Sequence, residues 1–378
     1  MNTSKATRLG ALVATGVLAF GALAACGSSN NSSSSAGGGS SNSGGSGSGK
    51  ADVGVILPDA TTSPRWETQD RPNLQKAFDA AGLKSDIQNA GGDTAKFGQL
   101  CDSMINEGVS VLIITDIDVN SGAACLKKAS SSGVQTIDYD RLTTGGGASY
   151  YVSFDNVKVG ELMGQGLVDA LKAEGKNSGN IVEVDGASTD NNAKLFAEGY
   201  NKVLKANPQY KIVGDQSGNW DATKAGQVFD QMYTQAKGNL VGALVANDTM
   251  SGGVIARLKA DGDAGRILTT GQDAGTEGLQ NILRGYQAGT VYKNTTLEAN
   301  AAAKLAVDLI KGDKSDADKL VNGTTDDPTL NRKVPSVLAT PVWITQKTVK
   351  QVVADGQADA KQICTGDVAK LCKKYGVK

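Results

Sequence analysis

Residues 134–142, VQTIDYDRL, begin as an apolar strand and end with Asp138, Asp140 and Arg141 crowded together. That much charge at a strand end suits a ligand that both donates and accepts hydrogen bonds. Similar groups follow the other apolar runs: Asp59 with Arg65 and Trp66, Asp116, Asp155 and Asn156, Asp185, Asp190 to Asn192, Asn219 and Trp220, Asn247 and Asp248, Asp273, and Lys293. Carboxylates accept from hydroxyls, Arg and Lys donate to ring and hydroxyl oxygens, and amides do both. An aromatic face covers the C–H patch of a pyranose. The set therefore has the composition of a sugar site, and it holds two of the chain's three tryptophans.

A second role is open to several of these residues. Asp and Asn after a strand are favoured helix N-caps, and Asp116, Asp190 and Asp248 each precede a helical segment. Arg141 could neutralise Asp140 as a solvated pair, worth about 0–1 kcal/mol.

Composition removes other chemistries. The 378-residue chain has no histidine, which excludes Ser-His-Asp and Cys-His catalysis and the commonest transition-metal ligand. No cysteine pair has zinc spacing, so no metal is expected, and no cofactor. A net charge of -1 gives nucleic acid or an anionic membrane no electrostatic claim. A glycosidase needs two carboxylates across a scissile bond, a geometry the sequence does not display, so no enzyme is expected. A sugar-responsive repressor would need a DNA-binding helix pair before its first lobe.

In that place stands an export signal. Lys5 and Arg8 precede LGALVATGVLAFGALAAC, too short for a membrane span. The run closes on Leu23-Ala24-Ala25-Cys26, which resembles a bacterial lipobox with Cys26 as the lipidated first residue of the mature chain. An ordinary signal with an incidental cysteine is the alternative. Residues 1–25 are thus read as signal and the Ser/Gly-rich residues 26–50 as a flexible tether. Together they predict export and anchoring to the outer face of the cell membrane.

From Ala51 the elements that must position the charged residues begin. VGVIL precedes a helical pattern at 69–82; VSVLIIT, VQTID and YYVSF at 150–154 continue the alternation. NIVEV at 180–184, YKIVG, LVGALVA, RILTT and GTVYK repeat it, with helices expected over 190–206, 221–237, 250–262, 275–286 and 295–311. Alternating strands and helices predict an α/β fold, and about 325 residues predict two doubly wound parallel-sheet lobes. Such sheets bind ligands beyond the carboxyl ends of their strands, where the charged groups stand.

RWETQDR, YDRL, SFDNVKVGELMGQGLVDAL, DNNAKLF, ANDTMSGG, TTGQDAG, GTVYK and VPSVLATPVWI occur in an order and spacing similar to those of the D-xylose-binding proteins of ABC importers. These are type I periplasmic sugar-binding proteins, and the resemblance runs from about Asp52 to about Thr345. It implies a first lobe of 51–154 plus 294–338 and a second of 155–293 plus 339–378, joined by crossings near 153–156, 291–294 and 338–341. It implies that Arg65 donates to the sugar, Trp66 stacks on it, and Asp140 and Arg141 grip hydroxyls. Asp190, Asn192, Trp220, Asn247, Asp273 and Lys293 would come from the second lobe. It further implies a monomeric component of an importer that takes xylose or a related aldose and hands it to a membrane permease by hinge closure. A surface sugar sensor docking on a receptor is the alternative. The loop LPDATTSP, with Pro58, Ser63 and Pro64, departs from its relatives, in which this loop helps choose the sugar.

The four remaining cysteines suit an oxidising compartment. Cys101 and Cys125 lie on consecutive expected helices, and Cys364 and Cys372 lie in the tail, which predicts two local disulfides; buried free thiols are the alternative. The tail after Gln346 is read as one added helix before its clip.

Overall fold

The computed structural model describes residues 50–378. The signal, Cys26 and all of the tether except Lys50 lie outside the described residues. Thirteen strands are formed among the described residues: β1 (Val53–Leu57), β2 (Ser85–Asn89), β3 (Val111–Ile114), β4 (Gln135–Tyr139), β5 (Tyr150–Phe154), β6 (Gly179–Asp185), β7 (Tyr210–Ser217), β8 (Gly242–Val245), β9 (Leu268–Thr269), β10 (Thr290–Tyr292), β11 (Gly323–Asp327), β12 (Arg332–Ala339) and β13 (Val342–Ile344).

One sheet has the order β11-β12-β5-β4-β3-β1-β2, with every pairing parallel except β11 with β12. The other runs β7-β6-β8-β9, all parallel. Single pairings of Thr269 with Gln287 and Gln272 with Val291 carry it on to β10, which pairs antiparallel with β13. The expected α/β architecture of two lobes is the one observed.

Both faces of the first sheet are covered, which is why β1 reads as an unbroken apolar run. Val53, Val55 and Leu57 pack with Leu74, Phe78, Ala302 and Leu305, whereas Ile56 packs on the other face with Phe97, Met104 and Leu126. Each fully buried Val, Leu, Ile, Phe or Met among them stabilises the lobe by about 1.5–3 kcal/mol. In the second lobe, helices Asn156–Ala173 and Asn191–Lys205 touch backbone to backbone. A Cβ on Gly160 would lie 2.1 Å from the Phe196 carbonyl oxygen, and one on Gly199 2.1 Å from that of Val157. That contact seats helix Asn191–Lys205, whose first turn carries Asn192.

The chain passes between the sheets at Asp155, at Lys293–Asn294 and at Thr340–Pro341. Asp155 N donates to Ala339 O at 3.2 Å, which ties the first crossing to the third. Both expected disulfides form. Cys101–Cys125 joins helices Thr94–Glu107 and Val119–Ser131, and Cys364–Cys372 clips the tail to itself.

Some expectations shift. The helix expected over 69–82 is a π-helical turn, Trp66–Asp70, followed by helix Arg71–Ala80. The tail forms three short helices, Val349–Ala354, Ala360–Ile363 and Val368–Tyr375, because Gly356 and Gly366 take positive φ (72° and 53°) between them. Val349, Val352, Ile363 and Val368 bury this tail against Leu279, Ile282 and Leu283 of the second lobe.

Candidate functional site

The carboxyl ends of the two sheets face one cavity between the lobes. Its lining includes all ten residues expected there: Arg65, Trp66, Asp140, Arg141, Asp190, Asn192, Trp220, Asn247, Asp273 and Lys293. Every one of them is buried.

Asp140 stands at the centre. It follows β4 with φ +62°, and Arg141 N donates back to Tyr139 O at 2.7 Å, closing a three-residue turn that aims the Asp140 carboxylate into the cleft. Its Oδ2 lies 3.0 Å from Lys293 Nζ and 2.9 Å from Arg65 Nη1. Burial by itself would raise the affinity of this carboxylate for a proton. Arg65, Lys293 and Arg141 outweigh that and hold it well below the usual carboxylate range.

Arg65 is fixed from behind. Its Nε and Nη2 make a bidentate pair with Asp70 at 2.7 and 2.9 Å, Nη2 reaches Glu298 Oε2 at 3.2 Å, and Tyr139 donates its hydroxyl to Asp70 at 2.8 Å. Its guanidinium lies 4.5 Å over the Trp66 ring, and that of Arg141 lies 5.5 Å from the same ring. Trp66 thus stacks on two cations here. Arg65 Nη1 sits beside Asp140 as an ion pair without an aligned hydrogen bond. Among the described residues, Arg65 Nη1, Trp66 Nε1 and Asp273 Oδ1 are buried with no hydrogen-bond partner.

Arg141 pairs with Asp190 across the cleft, Nε to Oδ2 at 3.0 Å, and donates from Nη1 to Asp116 O at 2.8 Å. The solvated Arg141–Asp140 pair considered from sequence is not formed; the cations against the Asp140 carboxylate are Arg65 and Lys293. Asp190 serves two purposes, accepting from Asn192 N at 2.8 Å as a helix cap and from Trp220 Nε1 at 3.2 Å. Burial raises its proton affinity, with Arg141 opposing. Trp220 takes φ +59° and stands edge-on to Phe196 at 6.4 Å between centroids. Gly186 makes room for its indole, since a Cβ there would lie 2.0 Å from Cζ2. Asn247 likewise caps a helix, through Met250 N at 2.9 Å, while its Nδ2 donates to Thr62 O at 3.1 Å across the cleft.

Asp273, at φ +94°, accepts from Ser63 Oγ at 2.7 Å and stands 3.5 Å from Lys293 Nζ. Asn192 donates to Asp140 O at 2.8 Å and accepts from Asn156 Nδ2 at 2.9 Å, binding the first crossing to the site.

Other strand-end groups have different work. Asp118, not Asp116, caps helix Val119–Ser131, and Asn247 precedes Asp248 as the cap of helix Asp248–Ala260. Burial pushes Asp116 up to about 7. Asp138 accepts from Thr143 N and Oγ1, Asp59 from Thr61 and Thr62, and Asp155 caps its helix. Asp185 points toward Glu183 and Asp215, outside the cavity lining. Sequence reasoning passed over Thr62, Ser63, Phe196 and Gln272, which also line the cavity. Only the position of the LPDATTSP loop hinted at the first two.

The cavity measures about 20 Å³, room for roughly one water. The structure is therefore closed, with acids and cations of both lobes paired to each other.

Known proteins share the sequence and the fold. The model of the periplasmic binding protein domain family matches residues 53–314. The D-xylose-binding periplasmic protein of Escherichia coli K12 is 36% identical over 310 residues, covering 80% of this chain and 90% of that protein. The multiple sugar-binding periplasmic receptor ChvE of Rhizobium radiobacter is 32% identical over 334 residues, covering 81% and 90%. A carbohydrate transporter solute-binding protein of Chloroflexus aurantiacus, solved in complex with D-glucose, is 28% identical with a TM-score of 0.74, covering 82% of this chain and 98% of that one. Each of these is a binding protein and not an enzyme. The chain belongs to the periplasmic binding protein family, among the type I sugar-binding proteins of ABC importers.

Proposed function

We propose that this sugar-binding protein captures a monosaccharide, xylose or a related aldose, between its lobes and delivers it to an ABC permease. The observation that carries the reading is the network around Asp140. Cations from both lobes converge on one carboxylate, while Arg65 Nη1 and Asp273 Oδ1 stay buried without hydrogen-bond partners. Sugar hydroxyls are suited to take up those positions, since each donates and accepts at once. The ten cavity-lining residues expected from sequence are the proposed ligand contacts, with Arg65, Trp66, Asp140 and Arg141 from residues 51–154 and the other six from residues 155–293.

A pentose has about ten heavy atoms, so micromolar affinity asks about -8 kcal/mol, or roughly -0.8 per atom. Charge-assisted hydrogen bonds in a water-excluding cleft can meet that demand. Entry requires an open form, because the closed cavity is too small. The interlobe pairs Arg141–Asp190, Asn247–Thr62 and Ser63–Asp273 already favour closure, and sugar shifts the population further toward it. In this reading residues 1–25 are removed on export, Cys26 carries the lipid, and the tether holds a monomer beside its permease.

Uptake of labelled xylose by cells lacking the protein tests delivery. Restoration by the wild type and not by Asp140→Asn is the expected result. If the wild type binds sugar yet uptake is normal without it, delivery falls and the sensing role gains; the relative named as a receptor favours that second reading. Release of Cys26→Ser into the medium would bear out the anchor.

A further inference from the structure

At one edge of the second sheet, outside the residues that line the cavity, β6 and β7 bring three carboxylates together. Glu183 and Asp185 are two apart on β6 and so share a face of the sheet. The register sets Asp215 of β7 beside Glu183. One carboxylate oxygen of each lies within 4.8 Å of the other two.

The trio lacks what compensates buried acids elsewhere. Glu183 is 2% exposed, its Oε1 has no hydrogen-bond partner, and its Oε2 accepts only at 3.4 Å from Asn201 Nδ2. The Tyr200 hydroxyl donates to Asp185. Burial and the neighbouring acids push Glu183 up to about 8 and Asp185 up to about 7, and no cation is among the groups acting on either. A buried carboxylate oxygen with neither donor nor counter-charge is costly and calls for a partner.

We propose that Glu183, Asp185 and Asp215 bind a divalent cation of calcium type. The donors are all hard oxygens, and exposed Asp215 leaves one side open for water to complete a coordination of six to eight. The ion would clamp β6 to β7 just before the segments that present Asp190 and Trp220 to the cleft.

Terbium, a calcium surrogate, tests this, because Tyr200 at the site would sensitise its emission. Metal-stripped protein should show saturable emission at one equivalent, displaced by calcium. Glu183→Gln and Asp215→Asn should each weaken terbium binding at least tenfold. Asp215 is exposed, so its variant is expected to fold, with unchanged circular dichroism and sugar binding as the check. Absence of saturable emission, or equal emission from wild type and both variants, would overturn the site. So would an unchanged melting temperature of the wild type in millimolar calcium, which would leave a proton-sharing cluster in its place.

Discussion

Asp140 and Glu183 are acids at comparable depth in two different neighbourhoods, and their proton affinities diverge. Burial pushes both upward. Around Asp140 the cations Arg65, Lys293 and Arg141 overcome that push and keep it ionised; around Glu183 further acids add to it, up to about 8. Depth alone decides neither outcome. The cleft carries acids and bases in close pairs, so a neutral polyol can exchange partners with them without leaving a charge uncompensated. The β6–β7 trio has no such balance and calls for a proton or a metal ion.

The largest expected effect comes from breaking the balanced side. Asp140→Asn leaves Arg65 and Lys293 facing no central carboxylate and should lower sugar affinity at least 100-fold. Removing one partner of a buried ion pair costs about 3–5 kcal/mol, so denaturant unfolding should also register the change. An affinity within fivefold of wild type would break the comparison.

Arg65→Lys is subtler, because it keeps the charge and removes the fork that grips Asp70 while lying over Trp66. Affinity measured by calorimetry should fall about 10–100-fold, since a lysine is a point charge without bidentate geometry. Equal affinity would mean that charge alone organises the cleft.

The smallest effect probes the unbalanced side by pH. Glu183 titrates higher in the folded chain than in the unfolded one, where a glutamate titrates near 4.3. Its contribution to stability is therefore full below about pH 4 and is lost as pH rises toward 8. With metal stripped, the melting temperature of Glu183→Gln relative to wild type should rise by several degrees between pH 5 and pH 9. A flat difference would contradict the assigned environment. Asp140 has the opposite sign: its contribution is present above about pH 4 and lost as pH falls through its lower folded value.

Most of the cleft was legible in the sequence because strand ends in parallel sheets converge, so a list of charged strand-end residues is already a spatial statement. Asp140, Asp273 and Trp220 stand out in the structure by positive φ, a strain no local pattern announces. Ser63 and Thr62 were missed because small hydroxyl residues in a loop look like any turn; only the fold carries them to Asp273 and Asn247. The polar strands β2 (SDIQN) and β11 (GTTDD) were missed because both are sheet edges, where solvent removes the apolar run that marks a buried strand. The acidic trio escaped notice because the pairing of β6 with β7, not proximity in sequence, brings Asp215 to Glu183.

Calorimetric titration of the wild-type protein with xylose, arabinose, ribose, glucose and galactose tests the central claim most directly. Saturable one-to-one binding of at least one aldose at micromolar concentration is the predicted result. No heat of binding from any of the five up to millimolar concentration, with tryptophan fluorescence equally unchanged, would contradict a sugar site built around Asp140.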